Sequence, residues 1–335
     1  MLSKPLPDLA ASLAMRRQGA ELRLRTDVAG QELASGRRSD LFEAAGRDPA
    51  RLLGLERDLA RAEADAQGFV LAGTRASAAQ AALGRAAELT KTVGAELLAA
   101  VARGDAVSAR AIASEAEGAF ADFVDRMNTR SGDRALFAGA AVDGDALADA
   151  ESMLIELRTV VGGAVDGAEA AARVDAWFEA PGGGFELRGW LGEGDAPVVR
   201  LGDGVEADVS VRADAPEIRD AMKGLALAAV AADPLTAMSE EIRMESFALA
   251  AERGVGAADG LVEVRSALGL SEARIEEAET AARARRTALE ISWNDQVARD
   301  PFEAASEFQA LETQMQTAYT VAARLSRLTF ADFLR

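Results

Sequence analysis

A seven-residue apolar repeat near the C-terminal end of the sequence constrains the fold more than any other feature. Between residues 304 and 329, small and apolar side chains recur in alternating steps of four and three residues. A helix with this spacing carries a stripe along one side, and a partner helix has to cover that stripe. The positions of the repeat are Ala304, Phe308, Leu311, Met315, Ala318, Ala322, Leu325 and Thr329.

A second helical segment, rich in leucine, lies at the other end of the sequence. It covers about residues 6–33, with Leu9, Leu13 and Leu24 among its apolar positions. The C-terminal stripe also fits a core helix of a single globular domain. Its contact residues are small, however, since three alanines and a threonine stand among the eight positions. A helix with so small an apolar stripe is only marginally stable without a partner. We therefore expect the two chain ends to close on each other.

The residue composition excludes several kinds of chemistry. The 335-residue sequence contains neither histidine nor cysteine, which rules out disulfides, zinc–thiolate sites and histidine acid–base catalysis. Aspartate and glutamate outnumber lysine and arginine by 55 to 37, for a formal net charge of −18. Such a charge repels the phosphate backbone of nucleic acids. The composition favours a structural protein over an enzyme or a nucleic-acid-binding protein.

Three local patterns resemble binding motifs but fail in their details. Asp143 and Asp145 resemble the start of a calcium loop, but a third ligand position and the terminal glutamate are missing in register. Residues 182–184 are three glycines with no following lysine or helix start to hold a phosphate. Nothing places a serine nucleophile beside a lysine. We predict no catalytic residue, no cofactor and no metal site.

The first residues lack the marks of a secretory signal. Residues 1–7 (MLSKPLP) contain no apolar core, and no small-residue cleavage site follows them. No stretch reaches the roughly 18 unbroken apolar residues that a membrane span needs. We expect no membrane segment, and any export would need a route other than general secretion.

Helical periodicity extends over most of the chain. Gly36 suits the left-handed end of a first helix, and Asp48 with Pro49 suits the start of a second. Asp300 and Pro301 mark the last boundary. The predicted helices cover about residues 8–34, 49–103, 105–130, 147–161, 218–232 and 239–298, with the terminal repeat helix beyond 301.

The periodicity changes between residues 172 and 212. We interpret this stretch as a small β-rich outgrowth, with a type I′ hairpin turn at Asp203 and Gly204. The predicted strands are residues 177–178, 185–190, 198–201 and 205–211. The sequence thus predicts a mainly α fold: a long antiparallel helical rod whose terminal helices pair as a coiled coil, plus a small inserted β-rich domain.

The breaks divide the chain into five predicted parts. The terminal coiled-coil helices are residues 1–36 and 300–335. The helical rod comprises residues 37–146 as its N-terminal part and 233–299 as its C-terminal part. The inserted outer domain comprises residues 147–232, with its β-rich part at about 172–212.

Five segments spread over the whole chain match a known pattern in the right order. They are ELASGRR at 32–38, DPA at 48–50, DRMN and RALFAG between 125 and 139, RSALG at 265–269, and DPFEAA at 300–305 with FADFL at 330–334. Together they resemble the bacterial flagellin superfamily, and within it most of all the hook–filament junction proteins, the flagellin-like third hook-associated proteins. Residues 38–42 (RSDLF) depart from the usual pattern, as does Ala135, where tyrosine is common.

The resemblance implies a structural protein of the bacterial flagellum, located extracellularly at the junction of hook and filament. It implies export by the flagellar type III apparatus and a chaperone that binds the C-terminal helix. The implied partners are further copies in a ring or tube, the first hook-associated protein and flagellin. On this hypothesis the terminal helices carry subunit packing. The predicted packing residues are Leu6, Leu9, Leu13, Leu24, Val28, Phe308, Leu311, Met315, Ala318, Ala322 and Leu325.

Two other structural functions fit the same sequence. A filament flagellin would share the terminal helices, although the short outer region and the ending at residues 332–335 (DFLR) favour the junction protein. A coiled-coil secretion-tip or adhesin-like protein would show no dependence on flagellar genes. An enzyme is the least supported interpretation.

Overall fold

The structure, a computed structural model, describes residues 6–40, 49–195, 198–200, 206–207 and 209–333. Long helices dominate these residues, which confirms the prediction of a mainly α fold. The two longest helices contain 54 and 58 residues. The helices are α1 (Leu6–Ser35), α2 (Pro49–Ala102), α3 (Ala106–Met127), α4 (Ala150–Val161), α5 (Gly167–Glu179), α6 (Pro216–Ala232), α7 (Glu240–Val297) and α8 (Pro301–Phe333).

The predicted helix boundaries coincide with breaks in the structure. Gly36 follows α1 with a φ of 66°, a left-handed conformation that glycine adopts without strain. The side chain of Asp105 accepts a hydrogen bond of 3.0 Å from the Ser108 amide at the start of α3. Asp300 caps the first turn of α8 in the same way, accepting from the amide of Phe302 at 2.8 Å. The predicted cap Asp48 lies outside the described residues.

The β structure consists of two short antiparallel pairs among the described residues. Strand β1 (Arg130–Ser131) pairs with β2 (Arg134–Ala135), and β3 (Val199–Arg200) pairs with β4 (Glu206–Ala207). The second pair flanks Asp203 and Gly204, and the predicted type I′ turn at these two residues lies outside the described residues and stays a prediction. The β-rich interpretation of 172–212 otherwise overstates the strand content.

Two of the predicted strands are helical. Residues 177–178 end α5, and Phe185–Gly189 form one turn of π-helix. Asp166 caps α5 by accepting from the Glu169 amide at 2.7 Å, and the early residues of α5 are mostly alanine, so both its start and its composition favour a helix. The aromatic end of α5 is buried, with the ring centres of Trp177 and Phe178 4.8 Å apart. The apolar alternation that suggested strands reflects this aromatic packing.

One compact unit contains both chain ends, residues 1–63 and 283–335. Within it, α1 lies antiparallel to α8. The segment after α1 pairs with the segment after α7: the Arg38 amide donates to the Val297 carbonyl at 2.8 Å, and the Arg299 amide to the Gly36 carbonyl at 3.0 Å. These bonds hold the residues that follow α1 beside the residues between α7 and α8.

The other compact unit, residues 64–282, holds the main apolar core. Helix α6 is buried over most of its length, packed against α3, α4 and α5. Four phenylalanine side chains are fully buried in this core: Phe120, Phe123, Phe137 and Phe247.

Three helices of this second unit meet at glycines. Gly94 in α2 lies against Gly254 in α7, and Gly254 lies against Gly224 in α6. A Cβ atom added at Gly94 would lie 2.9 Å from the Val255 nitrogen, which is closer than side chains approach backbone atoms. The crossing therefore depends on the missing side chains. The two compact units do not test the predicted division of the chain into five parts, which stays a prediction.

Candidate assembly interface

The terminal helices contact each other through a face of α1 built from small residues. Thr26 and Ala29 are buried, and Gly19, Leu22 and Gly30 are half-buried. Thr26 satisfies its hydroxyl within the helix, donating to the Leu22 carbonyl at 2.8 Å. Small side chains on this face let α8 approach closely: a Cβ added at Gly30 would lie 3.3 Å from the Phe308 ring.

Three contacts set the antiparallel register, two with α8 itself and one with Arg299 just before it. Arg23 meets Tyr319, Gly30 meets Phe308, and Glu32 meets Arg299. Residue numbers rise along α1 as they fall along α8, so the two helices form one hairpin-like pair within the chain. The pairing of the terminal helices, predicted from the stripes, is thus seen within one chain.

A buried carboxylate holds the end of this helix pair. Glu32 is 8% exposed. One of its oxygens accepts the Ser39 amide at 2.7 Å, and the other lies 3.7 Å from the Arg299 guanidinium. Arg299 in turn pairs with Glu307 of α8. A buried charge needs such partners to be stable, so the chain leaves α1 in a fixed direction.

The stripe of α8 becomes more exposed along the helix. Ala304 and Leu311 are buried, Phe308 and Met315 are half-buried, and Ala318 and Ala322 are exposed. The side chains of Leu325 and Thr329 lie outside the described residues. The single chain thus covers the first half of the predicted repeat and leaves the described part of the second half open.

Those predicted packing residues of α1 whose side chains are described lie on its other side. Leu13, Leu24 and Val28 are 48%, 65% and 36% exposed. Leu22 and Leu24 are two residues apart, which separates them by about 200° around a helix, so one faces α8 and the other faces away. The side chains of Leu6 and Leu9 are not among those described. Helix α1 carries two stripes, of which the chain itself covers only one.

The sequence analysis did not identify the stripe of α1 that α8 covers. Gly19, Leu22, Thr26 and Ala29 follow steps of three and four residues, the same spacing as the repeat in α8. Glycine, threonine and alanine add little hydrophobicity, so the leucines on the opposite face dominated the analysis. The spacing of small residues was the signal that could have identified the intrachain seam. A role of any of these residues in assembly remains a prediction.

The second unit contains a charged cavity of about 400 Å³ between α5, α6 and α7. Lys223 is buried there and pairs with Glu179 and, at 2.7 Å, with Asp220. Arg253 pairs with Asp175 at 2.7 Å. These pairs neutralise the two basic side chains of the cavity, Lys223 and Arg253, within the chain.

Among the described residues, no group of three or more carboxylates is placed to hold a metal ion. Of the helices in the described ranges, none combines the length and apolar character that crossing a bilayer requires.

Comparison with known proteins agrees with this description. The family model of the bacterial flagellin C-terminal helical region matches residues 255–334. A solved structure described as a flagellar hook-associated protein from Vibrio parahaemolyticus superposes with a TM-score of 0.50 at 14% identity, covering 75% of this chain and 99% of that one. At this identity the similarity is one of fold. None of the curated proteins compared matches the sequence.

The fold defines a mainly α protein whose terminal helices pair with each other. With residues 255–334 matching the flagellin C-terminal region, the resemblance to the bacterial flagellin superfamily is confirmed. The match covers much of α7 and the whole of α8, so the similarity to flagellins is shown for that part of the chain.

Proposed function

We propose that this protein joins the flagellar hook to the filament, as a subunit that associates with copies of itself through its terminal helices. The observation that carries the proposal is the second stripe of α1. A single chain covers the face with Leu22 and Ala29 and leaves the face with Leu24 exposed.

The exposed stripe is suited to a helix of another subunit. Leu13, Leu24 and Val28 share this exposed face of α1, and apolar side chains on one exposed helix face are suited to a protein–protein contact. Ala318 and Ala322, on the open part of the α8 stripe, offer the small side chains that close helix packing uses. A neighbouring α1 or α8 would cover both surfaces.

Two further observations support a junction protein over a filament flagellin. The solved structure that this chain resembles in fold is described as hook-associated. The region between α4 and α6 also holds only short helices and the β3–β4 pair among its described residues, whereas a filament subunit often carries a large outer domain there.

The partners proposed for this role follow from its position. The first hook-associated protein would lie on one side of the ring and flagellin on the other. We propose export through the flagellar type III apparatus, with a chaperone that holds α8 before assembly. Covering the open α8 stripe would keep the subunit monomeric until it is exported.

Deleting the gene and examining cells and medium tests the role. Loss of a junction protein is expected to leave intact hooks and to release unpolymerised flagellin into the medium. Unchanged filaments on the deleted strain would contradict the proposal. Complementation with the wild-type gene controls for effects on neighbouring genes.

Filament flagellin is the second candidate, because the matching family model describes flagellin itself. That function predicts a different outcome of the same deletion: intact hooks with the major extracellular flagellin band absent. It also predicts that this chain dominates sheared filaments, whereas a junction protein is a trace band in them.

A further inference from the structure

The paired terminal helices carry opposite charges in two successive segments. Residues 13–25 of α1 and 319–324 of α8 contain five arginines and one glutamate, and together they are called the basic segment. Residues 26–35 of α1 and 301–318 of α8 contain five acidic residues and neither lysine nor arginine, and together they are called the acidic segment. The helix pair is therefore polarised along its length.

The contacts between α1 and α8 show that both helices change sign at the same level. The contact of Arg23 with Tyr319 lies within the basic segment, and the contact of Gly30 with Phe308 lies within the acidic segment. At 1.5 Å of rise per residue, the centres of the two segments are about 15–20 Å apart along either helix. The pair thus has one boundary between its positive and its negative part.

Part of the charge in each segment is left for a partner outside the chain. Arg299 pairs with Glu32 and Glu307 of the acidic segment, and Glu21 pairs with Arg25 inside the basic one. Other charged side chains of both segments are exposed and form no ion pair with any residue that the structure describes. They are Arg16, Arg17 and Arg324 in the basic segment, and Asp27, Glu303 and Glu312 in the acidic segment.

The exposed apolar stripe of α1 runs through the basic segment. Around the helix, Leu13 and Arg17 each lie within about 20° of Leu24, so the arginine stands in the stripe. A helix of another subunit that covers this stripe therefore also meets Arg17. Two copies side by side at equal height would set arginine against arginine, which costs free energy. A shift along the axis removes this repulsion and brings carboxylates opposite the arginines.

We infer that neighbouring copies pack side by side in the same direction, offset by about 15–20 Å along the helix pair. The basic segment of one copy then meets the acidic segment of the next. This inference rests on the proposed function, because a ring or tube needs contacts that repeat from copy to copy. An antiparallel pair of copies would match the same charges but would close at two subunits. The charges set the register in which the apolar stripes meet.

Charge reversal in either segment tests this arrangement by sedimentation velocity of the purified full chain. One variant carries glutamate at the unpaired arginines of the basic segment, and the other carries lysine at the unpaired carboxylates of the acidic segment. Each variant alone should need about tenfold or more protein to associate, because segments of like charge then meet. The substitutions are Arg16→Glu, Arg17→Glu and Arg324→Glu in the first variant, and Asp27→Lys, Glu303→Lys and Glu312→Lys in the second.

An equimolar mixture of the two variants gives the sharpest result. The reversed segment of each variant is opposite in charge to the segment that it meets on the other, so the mixture should regain association and form species larger than a dimer. Reversal of three exposed arginines of the second unit gives the same net charge as the first variant and should associate like wild type. These control substitutions are Arg85→Glu, Arg103→Glu and Arg274→Glu.

Four outcomes would overturn the inference. Wild-type association by both variants, or a mixture as weak as its components, would overturn it and leave the proposed function standing. A mixture that regains association but stops at dimers would replace the offset arrangement with the antiparallel pair. Association of the wild-type chain that stays equal between about 0.05 and 0.5 M salt would exclude a charged contact. A wild-type chain that is monomeric at every concentration would overturn the inference and the proposed self-association together.

Discussion

The side chain of Arg23 in α1 contacts Tyr319 in α8 in two ways at once. Its Nε donates a hydrogen bond of 2.6 Å to the tyrosine hydroxyl, and its guanidinium carbon lies 5.3 Å from the ring centre. Tyr319 is the only tyrosine in the sequence. Because the two residues are 296 positions apart, their contact reports directly on the pairing of the chain ends.

Removing parts of this contact should loosen the helix pair in steps. Tyr319→Phe deletes the hydrogen bond and keeps a ring under the guanidinium, whereas Arg23→Gln deletes both interactions. Because the pair is largely exposed, the full loss should be about 1 kcal/mol or less. Hydrogen exchange of α8 amides between residues 311 and 322 should be faster in Arg23→Gln than in Tyr319→Phe. Equal protection in both variants would show that the contact of the Arg23 guanidinium with the Tyr319 ring adds nothing to the stability of the helix pair.

The two faces of α1 should respond differently to a charge. Leu24→Asp places a carboxylate on the exposed face, so helicity should be unchanged while self-association and swimming are lost. Leu22→Asp places it in the intrachain seam and should weaken the α1–α8 pair by about 1–3 kcal/mol. Leu311→Asp, at a buried position of α8, should behave like Leu22→Asp.

Circular dichroism and sedimentation together separate these effects. If the Leu24→Asp chain assembles as wild type does and its strain swims normally, the exposed stripe of α1 is not part of the assembly interface. A loss of helicity equal to that of Leu22→Asp would mean that both faces serve the single chain.

The glycine crossing gives a prediction about stability alone. Gly94→Ala puts a methyl group 2.9 Å from the Val255 nitrogen, so the helices have to separate, at a cost of about 1–3 kcal/mol. Gly68→Ala in the same helix meets nothing within 4 Å and should stabilise by about 0.5–1 kcal/mol, because alanine favours helix over glycine. Urea unfolding of the two variants measures both changes in the free energy of unfolding. Destabilisation by both would point to helix α2 itself and not to the crossing.

The sequence identifies those features that depend on local pattern. The breaks at Gly36 and Asp300 and the repeat from Ala304 to Met315 follow from backbone preferences and apolar spacing, and the structure has them there. The seam through Thr26 and Ala29 was missed because small residues contribute packing without hydrophobic signal. Helix α5 was missed because a buried aromatic end resembles a strand when only hydrophobicity is considered.

A last prediction concerns acid stability around Trp177. Glu156 in α4 accepts hydrogen bonds from Arg188 at 2.5 and 2.9 Å and from the Trp177 indole at 3.2 Å. The bond from Arg188, then that from Trp177, lowers the pKa of Glu156, although partial burial opposes the shift. A lowered pKa means that the folded state prefers the charged carboxylate. Its contribution is present at neutral pH and is lost as the pH falls from the ordinary value of 4.5 through the lowered one.

Glu156→Gln should therefore lower the melting temperature at pH 7. The decrease should be modest because the Arg188 side chain is 58% exposed, and solvent screens an exposed ion pair. The difference from wild type should close as the pH falls from the ordinary pKa of 4.5 through the lowered pKa of Glu156, because wild type then loses the same charge. Tryptophan fluorescence during thermal unfolding follows this region, and Glu115→Gln, an exposed glutamate of α3, is the control. A difference that stays constant from pH 7 to pH 3 would mean that the amide disturbs the packing around Trp177 and that the charge of Glu156 contributes nothing.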